Sequence, residues 1–202
     1  MYKVGITGGI GSGKTTVCKV FEVLGIPVFY ADPVAKQIMV TDQVLIDGVQ
    51  SAFGAESYAS DGKLNNKHLA GIVFNSKAEL AKLNALVHPA VFRAFEEWEK
   101  QVDSAVPYTL KEAALLFESG SYKMCDTSIL VTAPLNLKLA RVMQRDQVSA
   151  AQVGARMDKQ MTDEAKAKMA NHFIMNDEQH SIIEQVLSLH KQFLIAAKSL
   201  SL

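Results

Sequence analysis

The sequence predicts an α/β fold built on a mostly parallel five-stranded sheet with helices on both faces, an inserted helical subdomain and a small helical lid. Three observations predict it. β-rich segments near residues 3, 27, 108, 128 and 173 alternate with helical periodicity, and such alternation demands crossover connections between parallel strands. Between the first strand and the first helix runs GGIGSGKT, which fits the pattern G-x-x-x-x-G-K-S/T with Gly8, Gly13, Lys14 and Thr15 at the fixed places. From Pro33 to about Gln101 the alternation gives way to almost uninterrupted helical signals, as an insertion would.

The elements follow in order. Tyr2 to Thr7 is apolar at Val4 and Ile6, as a buried first strand requires. Val17, Val20, Phe21 and Leu24 recur at helical spacing up to Gly25, a natural helix stop. Ile26 to Tyr30 reads as the second strand and ends at Ala31-Asp32-Pro33. Within the insertion, Val44, Ile46, Val49 and Phe53 mark a helix ending at Gly54, Glu56 to Asn66 is a loop, and Leu69 to Phe74 is a short helix. Ser76 with Glu79 opens a longer helix as a capping box, and Pro89 predicts a kink or break near His88. Phe92, Phe95 and Trp98 belong to the core of these helices. Strand signals return at Val106 to Glu112 and at Thr127 to Thr132. Leu135 to Arg145 is helical, Ser149 with Gln152 caps a polar helix reaching about Gln160, and Thr162 to Met169 holds another piece. His172 to Met175 is the last strand. Ile182 to Leu200 is an amphipathic closing helix with Ile183, Val186, Leu187 and Leu194 as expected core contacts. One domain over 1–202 is expected, with a nucleotide-binding core of 1–32, 106–137 and 171–202, an insertion of 33–105 and a lid of 138–170.

The glycine run needs its residue types. Glycines let successive backbone N–H groups turn onto phosphate oxygens, and the following helix adds its positive end. Lys14 is placed to reach the β- and γ-phosphates of a nucleoside triphosphate, and Thr15 to offer its hydroxyl to Mg²⁺, with a further hydroxyl at Thr16. Ligands of open α/β sheets gather at the carboxyl ends of strands, so Asp32 is the preferred general base or the group that orients an acceptor hydroxyl. The Asp-Pro pair suits a helix cap equally well. Lys138, Arg141, Arg145, Arg156 and Lys159 concentrate positive charge in the lid. Arg141 and Arg145 are four apart and able to bring guanidinium forks onto phosphate oxygens, the alternative being a solvated face beside Asp146. Glu112 ends a buried strand, from which it reaches the Mg²⁺ shell through water or remains a surface carboxylate. His88 is a packing residue or a substrate contact. His68, His172, His180 and His190 have no metal-like spacing.

Composition narrows the function classes. Lys plus Arg and Asp plus Glu both number 21, so no general attraction to nucleic acid is expected and phosphate binding must be local. No apolar run approaches the length of a membrane span and the start of the chain enters a glycine loop, so a soluble cytoplasmic protein without membrane association is expected. Cys18 and Cys125 are too few for a disulfide framework or a cysteine metal site. Zero net charge points to no particular macromolecular partner.

With these residues in view the chain resembles the dephospho-coenzyme A kinase family. The resemblance runs through GITGGIGSGKTT, Ala31-Asp32, FGAESYASDGKLNNKHLAGIVF from Phe53 to Phe74, LNALVHP from Leu83 to Pro89 and LLFESG from Leu115 to Gly120. It continues with RVMQRD from Arg141 to Asp146, Arg156, Gln160 and Asn176-Asp177. It implies a P-loop NTPase core, a helical coenzyme A-binding insertion and a lid. It also implies ATP-dependent phosphorylation of the ribose 3′-hydroxyl of dephospho-coenzyme A, the last step of coenzyme A biosynthesis, with ATP as co-substrate and Mg²⁺. By the same resemblance Asp32 is the catalytic base, Gly11, Ser12, Gly13, Lys14, Thr15 and Thr16 form the ATP site, and Arg141 and Arg145 are lid contacts to phosphates. Asn176 lies near the adenine, and His88 and Arg93 meet the acceptor. Tyr30, where an aspartate often begins an Asp-x-Asp motif, departs from the family pattern, as do Lys67, Glu112 and Ala114. A nucleoside or nucleotide kinase is the alternative reading. A GTPase-type switch would carry D-x-x-G and N-K-x-D, and neither occurs.

Overall fold

The computed structural model describes residues 1–74 and 76–200. The chain forms two compact units, one of Met1–Tyr30 with Val102–Leu202 and the other Ala31–Gln101.

The first unit holds the sheet. β1 (Tyr2–Thr7), β2 (Val28–Tyr30), β3 (Tyr108–Glu112), β4 (Thr127–Thr132) and β5 (His172–Met175) are all parallel, in the order β2-β3-β1-β4-β5. Central β1 sets Ile6 opposite Glu112 on one side and Ile129 on the other, and Tyr30 lies opposite Glu112. The carboxyl ends of three strands therefore form one row. β2 and β3 begin two residues later than the apolar pattern suggests, at Val28 and Tyr108. Pro27 and Pro107 precede them, and a residue without an N–H cannot donate to a ladder.

One sheet face is covered by α1 (Lys14–Val23) and α9 (Ile182–Ser199), whose Val17, Cys18, Phe21, Val186, Leu189 and Phe193 join Val4, Ile6, Tyr108, Leu110, Ile129 and Val131 in a buried cluster. On the other face Gly5 comes close to Leu116 and Cys125, leaving no room for a side chain. The expected inward face of α9 needs correction. Ile183 and Leu187 are exposed, Leu194 is partly buried, and Val186, Leu189, Phe193 and Ala197 point inward. Phe193 meets Tyr108 edge-on at 5.5 Å and Tyr2 at 6.2 Å, and these aromatic contacts fix the rotation of the helix.

The segment 138–170, the expected lid, holds all but the first turn of α6 (Leu135–Asp146), then α7 (Ala150–Met157) and α8 (Asp163–Ala167). Ser149 and Gln152 make both halves of the capping box that opens α7. That helix stops at Met157, short of Gln160, because the chain tightens into turn bonds from Lys159 N to Arg156 O and from Gln160 N to Met157 O.

The second unit is helical: α2 (Ala31–Ile38), α3 (Gln43–Phe53), α4 (Asn66–Val73) and α5 (Lys77–Gln101). Asp42 caps α3 by accepting from Leu45 N at 3.0 Å, and Gly54 ends it with φ 92°. Ser76 accepts from Glu79 N at 3.2 Å where α5 begins. The expected break at Pro89 does not occur, since α5 runs through it. Ala90, Val91 and Phe95 are buried just beyond, and this packing keeps the second half of the helix in line despite one missing hydrogen bond. Phe95 stacks on Trp98 at 6.0 Å.

Candidate active site

The phosphate loop is shaped as its sequence demands. Gly11 and Gly13 have φ of 80° and 89°, conformations that a side chain resists. Gly13 also packs against Asn176 so closely that a Cβ would overlap the amide nitrogen, and a Cβ at Gly11 would lie 2.5 Å from Lys138 O. The loop closes on itself through Ser12 N to Gly9 O at 3.1 Å. α1 opens directly after Gly13 with no side-chain cap and no acidic residue in its first turn, so the positive end of the helix is presented to an anion. Lys14 Nζ donates to Gly8 O at 3.0 Å and stands 3.9 Å from the buried Glu112 carboxylate. Gly13→Ala is expected to lower Tm by roughly 4–10 °C, from about 1–3 kcal/mol of left-handed strain plus the overlap, and to abolish detectable ATP binding. Thermal unfolding with and without ATP checks both effects.

A triphosphate fits this cradle on structural grounds. The Ser12 hydroxyl is buried and, among the described residues, has no hydrogen-bond partner, so a polar atom stands ready inside the loop. Thr15 and Glu112 are hard oxygen donors of the kind Mg²⁺ accepts alongside nucleotide phosphates. Tyr30, in the place of a familiar aspartate, donates instead to Glu22 Oε1 at 3.1 Å. A cleft of about 550 Å³ beside α1 is lined by Thr16, Val20, Asn176, His180, Ile182 and Ile183, a mixed apolar and polar wall suited to a nucleobase. Its loop is stiffened by Asp177, which accepts from the backbone of His180 and Gln179 and from the His180 ring. The backbone N–H of His180 leads the interactions that hold the Asp177 carboxyl down at about 2.

Arg141 and Arg145 take different partners. Arg141 donates to Asn176 O at 3.2 Å, to Asn176 Oδ1 at 3.3 Å and to exposed Glu178 at 3.2 Å. Arg145 turns to Asp146 at 2.7 Å, and Arg156 reaches the same carboxylate at 2.7 Å. Hydrogen bonds from Arg145, and then from Arg156, outweigh partial desolvation and hold Asp146 down at about 2. A carboxyl depressed on folding stabilises the fold above its ordinary range, about pH 4, and loses that effect as pH falls towards 2. Asp146→Asn is therefore expected to lower Tm slightly at pH 6, with the difference from the unmutated chain closing below about pH 4 and in high salt. Thermal unfolding across that range measures it.

Several long-range ties around the loop carry no local sequence signal. Lys138 is buried and paired with Asp163 beside Gly9. Lys166 is fully buried, donating to Ala114 O at 2.8 Å and pairing with Glu118 at 3.1 Å. Glu118 also accepts from Met161 N at 2.9 Å. Each tie joins residues 25 to 52 apart in the chain, too far for any window of sequence to reveal.

In the helical unit, Asp32 is the second residue of α2 and exposed. The helix starts at Ala31, so Asp32 is a first-turn acid and not the cap. His88 is half-buried, and burial pushes its pKa down, favouring the neutral ring. Arg93 donates to Asp42 at 2.7 Å and so ties α5 to the start of α3. A groove of about 980 Å³ follows α2 from Ala35 and Lys36 to Met39 and is completed by Leu64, Asn84 and Val87.

Likeness to known proteins extends over nearly the whole chain. A sequence model described as dephospho-CoA kinase matches residues 2–181. The dephospho-CoA kinase of Salinibacter ruber is 44% identical over 178 residues, covering 88% of this chain and 89% of its own. The crystal structure of TT1252 from Thermus thermophilus matches with a TM-score of 0.82 and 32% identity, over 95% of this chain and 96% of its own. The solved structure of dephospho-CoA kinase from Campylobacter jejuni matches with a TM-score of 0.69 and 27% identity, over 96% of this chain and 98% of its own. The chain belongs to the dephospho-CoA kinase family.

Proposed function

We propose that this protein transfers the γ-phosphoryl group of ATP to the ribose 3′-hydroxyl of dephospho-coenzyme A, giving coenzyme A and ADP. The observation that carries the proposal is the intact phosphate loop, with Lys14 anchored at its centre and a buried hydroxyl left for a ligand, in a chain of this family. Phosphoryl transfer asks a protein chiefly for position and charge. Gly11, Ser12, Gly13, Lys14, Thr15 and Thr16 would hold the triphosphate, and the adenine would occupy the cleft beside Asn176. Thr15, with Glu112 in support, would hold the Mg²⁺ that accompanies ATP, and the chemistry such an ion supplies is neutralisation of phosphate charge. Lys14 and Arg141 would stabilise charge on the moving group, Arg141 by exchanging exposed Glu178 for phosphate oxygens, and Arg145 would act likewise on lid closure. Asp32 would accept a hydrogen bond from the acceptor hydroxyl and hold it in line, with His88 and Arg93 meeting the rest of that substrate.

Among the described residues no helix is long and apolar enough to cross a membrane. A cytoplasmic enzyme acting on a small molecule, with neither a membrane nor a nucleic acid as partner, is part of the proposal. Initial rates of ADP release with dephospho-coenzyme A, adenosine, AMP and shikimate test it. Dephospho-coenzyme A is expected to give the highest kcat/KM, and a preference for any of the other three would overturn it.

A further inference from the structure

Two carboxamides grip the phosphate loop from outside, on either side of Gly11. Gln160 Oε1 accepts the backbone N–H of Ile10 at 3.0 Å, and Asn176 Nδ2 donates to the backbone carbonyl of Ser12 at 2.9 Å. One contact takes up the N–H of the Gly9–Ile10 peptide and the other the carbonyl of the Ser12–Gly13 peptide, so a peptide group is held at each end of the short segment Ile10–Ser12 that contains the left-handed Gly11. Neither carboxamide floats. Arg141 holds the carbonyl and side-chain oxygen of Asn176, which turns the amide nitrogen towards Ser12. Gln160 is set in a turn whose next residue, Met161, donates to Glu118, itself paired with buried Lys166. Two residues further on, Asp163 pairs with Lys138 beside Gly9.

We propose that Gln160 is a positioning residue for nucleotide binding: by holding the Ile10 N–H outward it pre-sets the loop so that the remaining backbone donors already point at the phosphates. A loop ordered before ATP arrives avoids part of the entropy cost of binding. The inference rests on the ATP reading given above and makes the turn at residue 160, within the lid segment, a fixed point of contact with the phosphate loop. It does not require Gln160 to touch substrate.

Gln160→Met keeps the length of the side chain and removes the accepting oxygen, and Gln160→Ala removes both. The loss of one partly buried hydrogen bond is expected to raise KM and Kd for ATP about 5- to 10-fold, with KM for the acceptor changed less than about 2-fold. Amide exchange at Ile10 should accelerate by at least about 10-fold while Val4 and Ile129, in the core strands, keep their protection, which separates a local release from general unfolding. Acceleration at Ile10 with unchanged ATP affinity would reduce Gln160 to a structural tie and overturn the proposal. Unchanged exchange at Ile10 would overturn it too. If the unmutated protein bound no ATP, the donor reading would fall first, and that measurement precedes any variant.

Discussion

Lys14→Ala is expected to lower kcat/KM for phosphoryl transfer by about 1,000-fold or more and to weaken ATP binding with it. The ammonium is the one lysine charge that the loop itself carries at the start of α1, held by Gly8 O at 3.0 Å within a partly buried cradle. Charge stabilisation from a preorganised group in such a site is worth far more than in water, and removing a single transition-state donor commonly costs 100- to 1,000-fold. Lys14 serves the ground state as well, because it meets the phosphates before and during transfer, so Kd for ATP should rise together with the fall in kcat. The variant also withdraws a cation 3.9 Å from buried Glu112. Lys14→Met, which retains most of the apolar stem, separates that electrostatic loss from lost packing. Steady-state kinetics with ATP titrated by calorimetry measures both effects. Full activity in either variant would exclude the loop from catalysis.

Asp32→Asn is expected to reduce kcat by about 100-fold or more while Kd for ATP changes less than about 3-fold. The substitution keeps the size of the side chain and removes its charge and basicity. It should barely touch the fold, since an exposed first-turn acid contributes only about 0.3–1 kcal/mol through the helix dipole. Turnover therefore reports on alignment of the acceptor hydroxyl. A collapse of ATP affinity would instead make Asp32 a residue of the nucleotide or metal shell.

The parts of this structure that were legible in the sequence are those governed by local rules. β4 and β5 have the bounds that their apolar runs predict, and the capping box at Ser149 and Gln152 forms in full. The glycine run announces its own backbone, because positive φ at Gly11 and Gly13 is a property of residue type. Where tertiary packing decides, the pattern falls short. Ile183 and Leu187 look as apolar as Val186 and Leu189, and only the aromatic contacts of Phe193 determine which stripe of α9 faces the sheet. Pro89 would interrupt an isolated helix, whereas buried neighbours carry α5 past it. The arginines of α6 show the same limit. Their four-residue spacing is local, but the turn of Arg141 to Asn176 and of Arg145 to Asp146 depends on partners brought in by β5 and by the end of the helix. Gln160 was visible only as a residue shared with a family. Its hydrogen bond to Ile10 spans 150 positions and has no signature in the chain.

Phosphorus NMR of the product formed from ATP and dephospho-coenzyme A reports directly where the γ-phosphoryl group goes. ADP is expected in equal amount to a new phosphomonoester whose phosphorus couples to the proton on ribose C3′. ADP appearing with inorganic phosphate and unaltered dephospho-coenzyme A, or a phosphate carried elsewhere on the acceptor, would contradict the proposed function.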